Sequence, residues 1–468
     1  MMKESKLSVF EKVGFGAGDM SINVMIAALF YFMSYFYTDV FGLKPIDMGI
    51  MFLVARMTDA ISDPLMGMIT DRFKYKRGRF RPYFLYLAIP YGVSMVLLFT
   101  TPDLDYAGKL IWAYATYLFA TLMFTGVAIP YISYIGVLTS DPKERLSANG
   151  YRMFFAKLAN VAIVSSVPVL AGMWGKGDSG LGYQLAMAFM SGVGILLLLF
   201  CYFSTHERVE HQVTKLSVGA QFRGLLRNDQ WLILAAACIL GTLAYSIRGS
   251  VALYYAKYYL GVSDAVAGSF LSAGIAASIF SMVASTWFTK RWCKLKLFRW
   301  SQVAVGFISV LMFFVVKPGD VWMAFGLYII LSFVVDLHAP IFWSAIAEAV
   351  DYGHVKDGSR VSGLSFGGIS FAQKAGAGLA GFAGGMLLDL FQYQPNQEQT
   401  SFTLTGLALM LTVIPGVIHS LMGWLMFKYR ITNSFYRTMI DSKTVDIDQA
   451  GQPLSSNQPQ PSVDVKVS

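Results

Sequence analysis

The sequence predicts an all-α polytopic membrane protein, with twelve transmembrane helices in two six-helix halves. Three observations carry this expectation. The 468 residues are 55% hydrophobic and only 14% charged, where a soluble domain carries about 25% charged residues. The apolar residues gather in stretches long enough to cross a bilayer, which takes about 20 residues per helix. The alternating apolar–polar pattern of a membrane barrel is absent, so helices are left as the structure that satisfies every backbone group in lipid.

In chain order the twelve stretches run roughly over 21–41, 47–69, 82–101, 108–138, 149–173, 181–204, 230–256, 265–289, 300–316, 321–350, 362–390 and 402–427. The longest polar interruption is "STHERVEHQVTKLSVGAQFRGLLRNDQ" (204–230), which divides them six and six. The expected units are thus a bundle over 1–203, a cytoplasmic central loop over 204–229, a second bundle over 230–430 and a disordered cytoplasmic tail over 431–468. The tail ends in the polar "GQPLSSNQPQPSVDVKVS". A weak repeat supports two halves: "TDRFKYKRGRFRPY" (70–83) follows the second span and "TKRWCKLKLFRWSQ" (289–302) the eighth.

Lysine and arginine set the orientation. With the N-terminus inside, cytoplasmic segments hold 27 of the 37 basic residues, outer segments five, and the spans the remaining five. Both termini are therefore expected in the cytoplasm. The net charge of +9 follows from this bias and does not call for nucleic acid. The first twelve residues are polar, so no cleavable signal peptide is expected. Cys201, Cys238 and Cys293 form no CxxC or Cys/His cluster and read as packing residues. No phosphate-cradling loop and no nucleophile arrangement occurs, so neither a pump driven by ATP nor an enzyme is expected.

The chemistry lies in charges placed where a bilayer penalises them. "FLVARMTDAISDPLMGMITDR" (52–72) carries Arg56, Asp59 and Asp63 on one helix face. Two carboxylates there either bind Na⁺ or trade a proton, or else pair with Arg56 as a structural tie. The fifth span carries Arg152 and Lys157; a guanidinium suits forked hydrogen bonds to a carboxylate or to paired oxygens. The seventh has Arg248. The eleventh has Lys374 among small residues in "SFAQKAGAGLAGFAGG", and that lysine requires an acidic partner, with Asp59 and Asp63 the candidates. The tenth holds Asp336, His338, Trp343 and Glu348; Trp343 beside Phe342 offers a stacking face for a sugar, while Asp336 and His338 point from different faces. In "DRFKYKRGRFRP" (71–82), Asp71 and Arg72 end a helix and Gly78 turns the chain. Arg77, Arg79 and Arg81 lead into Pro82, which suits a helix first turn. Asp71, Arg72, Arg77, Arg79 and Arg81 together read as a conformational latch between bundles.

Taken in order, "GFGAGDMSIN" (14–23), "FYTDVFGL" (36–43), "LVARMTDAISDP" (53–64), "DRFKYKRGRFRP" (71–82), "AIPYISYIGVLTSDPKER" (128–145), "YRMFFA" (151–156) and "VDYG" (350–353) closely resemble the glycoside–pentoside–hexuronide:cation symporters of the major facilitator superfamily. The resemblance covers nearly the whole chain. It implies an alternating-access carrier of sugars or glycosides coupled to Na⁺, H⁺ or Li⁺, without a cofactor, acting as a functional monomer in the inner-membrane bilayer. It implies cation coupling at Asp59 and Asp63 with Lys374 as charge partner, and sugar binding by Arg152 and Trp343. Three positions depart from the family pattern of the melibiose permease. Counted without gaps, the sugar-binding acid of the first helix falls on Asn23, which then binds substrate hydroxyls or an anionic group. The acid before Ile-Pro is Ala128, and the Trp four residues later is Ile132. With those carboxylates gone the cavity is expected to be positive, favouring an anionic solute such as a uronide or sulfonated sugar, and H⁺ becomes a better coupling ion than Na⁺. An exporter of a small anionic sugar-derived metabolite such as a sulfonate, or an uncoupled facilitator, is the alternative.

Overall fold

In the computed structural model, helices begin where capping and proline chemistry permit, and this moves the first span. Residues 6–73, 75, 77–139, 142–209, 218–357, 362–432, 434–436 and 438–439 are described; most of the expected disordered tail and the middle of the central loop lie outside them. Helix α1 starts at Val9 and runs to Tyr31, well before the expected residue 21. A capping box sets that start: Ser8 Oγ accepts from the Glu11 N–H (3.2 Å) and Glu11 Oε2 from the Ser8 N–H (2.9 Å). Asp19, outside the expected span, is thereby inside the helix and buried.

The remaining helices of the first half are α2 (Met33–Tyr35), α3 (Pro45–Arg72), α4 (Arg81–Tyr86), α5 (Ala88–Leu98), α6 (Tyr106–Leu138), α7 (Pro142–Gly175) and α8 (Ser179–Ser204). After α9 (Val218–Arg227) the second half comprises α10 (Asp229–Tyr254), α11 (Asp264–Arg291), α12 (Lys294–Val315), α13 (Val321–Asp336), α14 (Ala339–Asp357), α15 (Ser362–Leu390), α16 (Ser401–Leu411) and α17 (Val413–Leu425). Among the described residues no strand forms and nine helices are long and apolar enough to cross a membrane. Of the other expected spans, α3 is laden with charge, α4–α5 is interrupted at Leu87, and α15 is glycine-rich.

The repeat is clearer in the backbone than in the sequence. A π-helical turn closes α1–α2 at Phe36–Val40, and another closes α10 at Tyr255–Tyr259. A glycine with positive φ follows each, Gly42 and Gly261. Then come α3 and α11, each of 28 residues, at the same step along the chain. Prolines shape the breaks. Pro415 has no N–H to offer the carbonyl four residues earlier, and α16 ends at that residue, Leu411.

The halves meet along α3 and α15 and along α7 and α11. "KAGAGLAGFAGG" (374–385) makes the first contact possible. A Cβ on Gly385 would stand 2.3 Å from the Pro45 carbonyl and 3.0 Å from Gly49 Cα; one on Gly381 would meet Phe52, and one on Gly378 the Arg56 stem.

Candidate transport site

Close α3–α15 packing delivers Lys374 to Asp63. Lys374 Nζ contacts Asp63 Oδ2, and Thr125 Oγ1 on α6 donates to Asp63 Oδ1 at 2.9 Å. Arg56 takes the other carboxylate, with Asp59 Oδ2 2.8 Å from its guanidinium, and reaches the Tyr117 hydroxyl at 3.4 Å. The carboxylates thus divide between two cations: Lys374 pairs across the halves, and Arg56 within α3. Asp59 is almost fully buried, and its Oδ1 and the Ser62 hydroxyl have no hydrogen-bond partner.

A second constellation gathers on α1 and α7. Arg152 Nε lies 3.5 Å from Asp19 Oδ1. Asn23 Nδ2 donates to Asp19 Oδ2 (3.2 Å) and to the Asp19 carbonyl (2.9 Å), and Asn160 Nδ2 donates to Asn23 Oδ1 (3.4 Å). This corrects the expectation of a cavity without an acid on the first helix. Asn23 stands where the gap-free count placed that acid, but Asp19, one turn earlier on the same face, presents a carboxylate to Arg152. The signal was legible, since Asp19 closes the quoted "GFGAGD" four positions before Asn23.

Two more inter-half contacts were not anticipated. Lys157 on α7 lies 4.0 Å from Asp336 on α13, while His338 Nδ1 is 2.6 Å from the Val335 carbonyl, apart from Asp336 as expected. At the end of the helical bundle opposite the basic loops, Asp39 is buried in the π turn after α1. Its Oδ1 accepts from the Tyr258 and Tyr393 hydroxyls, its carbonyl accepts from Asn396 Nδ2 (2.5 Å), and Thr38 Oγ1 lies 2.8 Å from the Tyr254 hydroxyl. Lys257 reaches the Tyr35 hydroxyl in the same layer.

The basic turn is built as its residues suggest. Tyr75 and Gly78 exchange backbone hydrogen bonds of 3.1 and 3.2 Å, and Gly78 takes φ 116°, a value only glycine adopts readily. Glu207, after α8, accepts from the N–H groups of Arg79 (2.8 Å), Phe80 (2.7 Å) and Arg81 (3.1 Å). Arg81 also donates to the Tyr202 carbonyl at 2.7 Å; Arg72 and Arg77 are exposed, and the Asp71 side chain lies outside the described residues. These bonds close within the first half, as Lys356–Asp229 and Lys294–Glu348 close within the second.

A cavity of about 170 Å³ lies between the halves, walled by Phe52, Arg56, Tyr117 and Phe124 on one side and by Ser246 and Ser250 on the other. Arg152, Asn23 and Trp343 do not line it. Trp343 packs edge-on against Phe342 with ring centroids 6.1 Å apart and remains partly exposed. Cys201 and Cys238 are buried and unpaired, as packing residues are.

Paired charges joining two helical halves around an internal cavity define a membrane carrier. Residues 14–433 match the family model described as MFS/sugar transport protein, and the chain belongs to this family. It is 35% identical over 429 residues to the inner membrane symporter YicJ of Escherichia coli, covering 92% of this chain and 93% of that one. It is 28% identical over 435 residues to the isoprimeverose transporter of Lactiplantibacillus pentosus, covering 90% and 88%. The fold is also that of the crystal structure of a D-xylose-proton symporter, with a TM-score of 0.60 and 13% identity, over 90% of this chain and 97% of that one. The protein is a multi-pass membrane transporter, not an enzyme.

Proposed function

We propose that this chain carries a sugar or glycoside across the inner membrane by alternating access, coupled to a monovalent cation, with both termini and the basic loops in the cytoplasm. The observation that carries the proposal is the Asp63–Lys374 pair, which ties α3 of one half to α15 of the other, the two helices whose Arg56 and Ala377 line the inter-half cavity. Neutralising Asp63 releases Lys374 and so uncouples the halves. Ion binding and movement are then one event. The Asp39 layer supports a state closed at the outer end, since it binds the halves there while the loop-end pairs named above stay within one half. In the opposite state Arg77, Arg79 and Arg81 act as the latch, with Asp71 and Arg72 at the helix end they abut.

H⁺ is the first reading for the ion, because both oxygens of Asp63 are already engaged by a cation and a hydroxyl. Na⁺ is a second reading, favoured by the unpartnered Asp59 Oδ1 and Ser62 hydroxyl beside them. For the solute, Arg152, Asp19 and Asn23 form an acceptor–donor set for sugar hydroxyls, and Trp343 offers an apolar face. A carboxylate beside Arg152 serves neutral glycosides as well as uronides, so neutral sugars come first and anionic ones second.

Thermal unfolding of the purified protein across neutral glycosides, uronides and sulfonated sugars, with Na⁺ or K⁺ at two pH values, tests the reading, because a ligand bound only to the native state raises its stability. Stabilisation by a glycoside that disappears in Arg152→Ala supports it. Stabilisation unaffected by Arg152→Ala and Asp19→Asn removes the assigned site.

A further inference from the structure

Five basic side chains lie well inside the spans, away from their ends, and four of them have acidic partners: Arg56 with Asp59, Lys374 with Asp63, Arg152 with Asp19, and Lys157 with Asp336. The fifth, Arg248 on α10, is 5% exposed and forms no ion pair with any described residue. One part of it is anchored. Its Nε donates at 3.2 Å to the Leu411 carbonyl, the group that Pro415 leaves without its helical donor. Both terminal nitrogens are buried with no hydrogen-bond partner. A buried charge without a direct partner costs several kcal/mol, so an anionic group placed against these two nitrogens would stabilise the folded chain.

Arg248 forms part of the wall of a cavity of about 30 Å³ between α1, α10, α11 and α13. Hydroxyls surround it, from Tyr245, Ser278, Tyr328 and Ser332, and no acidic side chain lines it. The carboxylate of Asp336, next to the lining residue Val335, attracts Arg248 through space without forming an ion pair with it and lies 4.0 Å from Lys157. The space admits a water- to halide-sized group, and a guanidinium with hydroxyl donors is a donor set for negative charge. The Phe30 ring separates this space from the inter-half cavity, since it borders both.

We propose that the Arg248 cavity is a binding site for one singly charged anionic group, with Arg248 as its charge partner and the tyrosine and serine hydroxyls as further donors. The group is either a free halide-sized ion or the carboxylate end of a bound solute. This assignment does not depend on the transport reading, because it rests on an unpaired cation and a donor-lined cavity.

The test is the melting temperature of the detergent-purified full chain in the potassium salts of chloride, bromide, formate and glucuronate. Each is compared at equal ionic strength with the salt of HEPES, whose three-oxygen sulfonate is bulkier than a halide or a carboxylate, and glucose serves as the neutral counterpart of glucuronate. The expected result is a saturable rise that Arg248→Gln abolishes. A rise with chloride and bromide identifies the free ion, and a rise with glucuronate but not with glucose or halide identifies a solute carboxylate. Where Arg248→Gln fails to fold, Ser278→Leu fills the cavity while keeping the charge and must lose the same response. No anion-dependent rise in the wild type, or a rise that persists in Arg248→Gln or Ser278→Leu, overturns the assignment.

Discussion

Removing both Asp63 and Lys374 should cost less than the sum of removing each alone. The pair is the direct charged tie between α3 and α15, and its side chains are only 19% and 25% exposed. Two charges about 4 Å apart attract by about 4 kcal/mol at an effective dielectric near 20, but desolvation takes back much of this. The interaction left in a double-mutant cycle should be about 1–3 kcal/mol. In Asp63→Asn, Lys374 is left half-buried and unmatched; in Lys374→Met, Asp63 is. The double variant leaves neither orphan, so it should be more stable than the sum of the single losses implies. Because the pair joins the halves in this state, the same coupling corresponds to about a 5- to 150-fold shift between states. Chemical or thermal unfolding of the four proteins in detergent gives the cycle. Additivity within about 0.5 kcal/mol would show that the two residues do not act as a pair, and the proposed coupling mechanism would fail with it.

Three further outcomes follow from named contacts. Gly385→Val places side-chain atoms against the Pro45 carbonyl and Gly49, so cross-linking of cysteines introduced at the outer ends of α3 and α15 should fall sharply, while an α10–α15 cross-link within the second half is unchanged. Asp39→Ala leaves the Tyr258 and Tyr393 hydroxyls without their acceptor; accessibility of a cysteine at Tyr35 to an impermeant reagent should rise several-fold, and unchanged labelling would mean the layer does not seal the outer end. Asp19→Asn should weaken solute binding at least tenfold, about 1.4 kcal/mol for loss of a charged hydrogen-bond acceptor, and leave the Asp63–Lys374 coupling energy intact.

The charges on α3 and the lone Lys374 were legible because ionisable residues inside apolar runs stand out at once. The choice of Asp63 over Asp59 was not, since it depends on the α3–α15 register that Gly49 and Gly385 set at the far end of the interface. Asp19 was missed because hydropathy places the first span where its apolar run becomes continuous, whereas the helix starts at its cap, Ser8. The cavity was therefore expected to be positive, with Arg56, Arg152 and Lys374 left after the loss of two carboxylates; the basic side chain without an ion pair is instead Arg248. The repeat was faint in the basic loops because surface residues drift freely, and plain in the π turns and helix lengths because backbone geometry is what both halves must share. The breaks between α13 and α14 and between α16 and α17 interrupt runs that read as continuous spans, with prolines Pro340 and Pro415 as their only local marks.

The central claim, a cation-coupled carrier working through Asp63, is tested most directly in proteoliposomes holding a pH-sensitive and a Na⁺-sensitive dye. Neutral glycosides, pentosides and uronides are added outside in turn, and ion entry is recorded for the wild type and for Asp63→Asn. At least one sugar-like solute should drive H⁺ or Na⁺ inward in the wild type, and Asp63→Asn should abolish that entry. Ion entry of equal rate in Asp63→Asn, or solute equilibration without ion movement in the wild type, would contradict that claim.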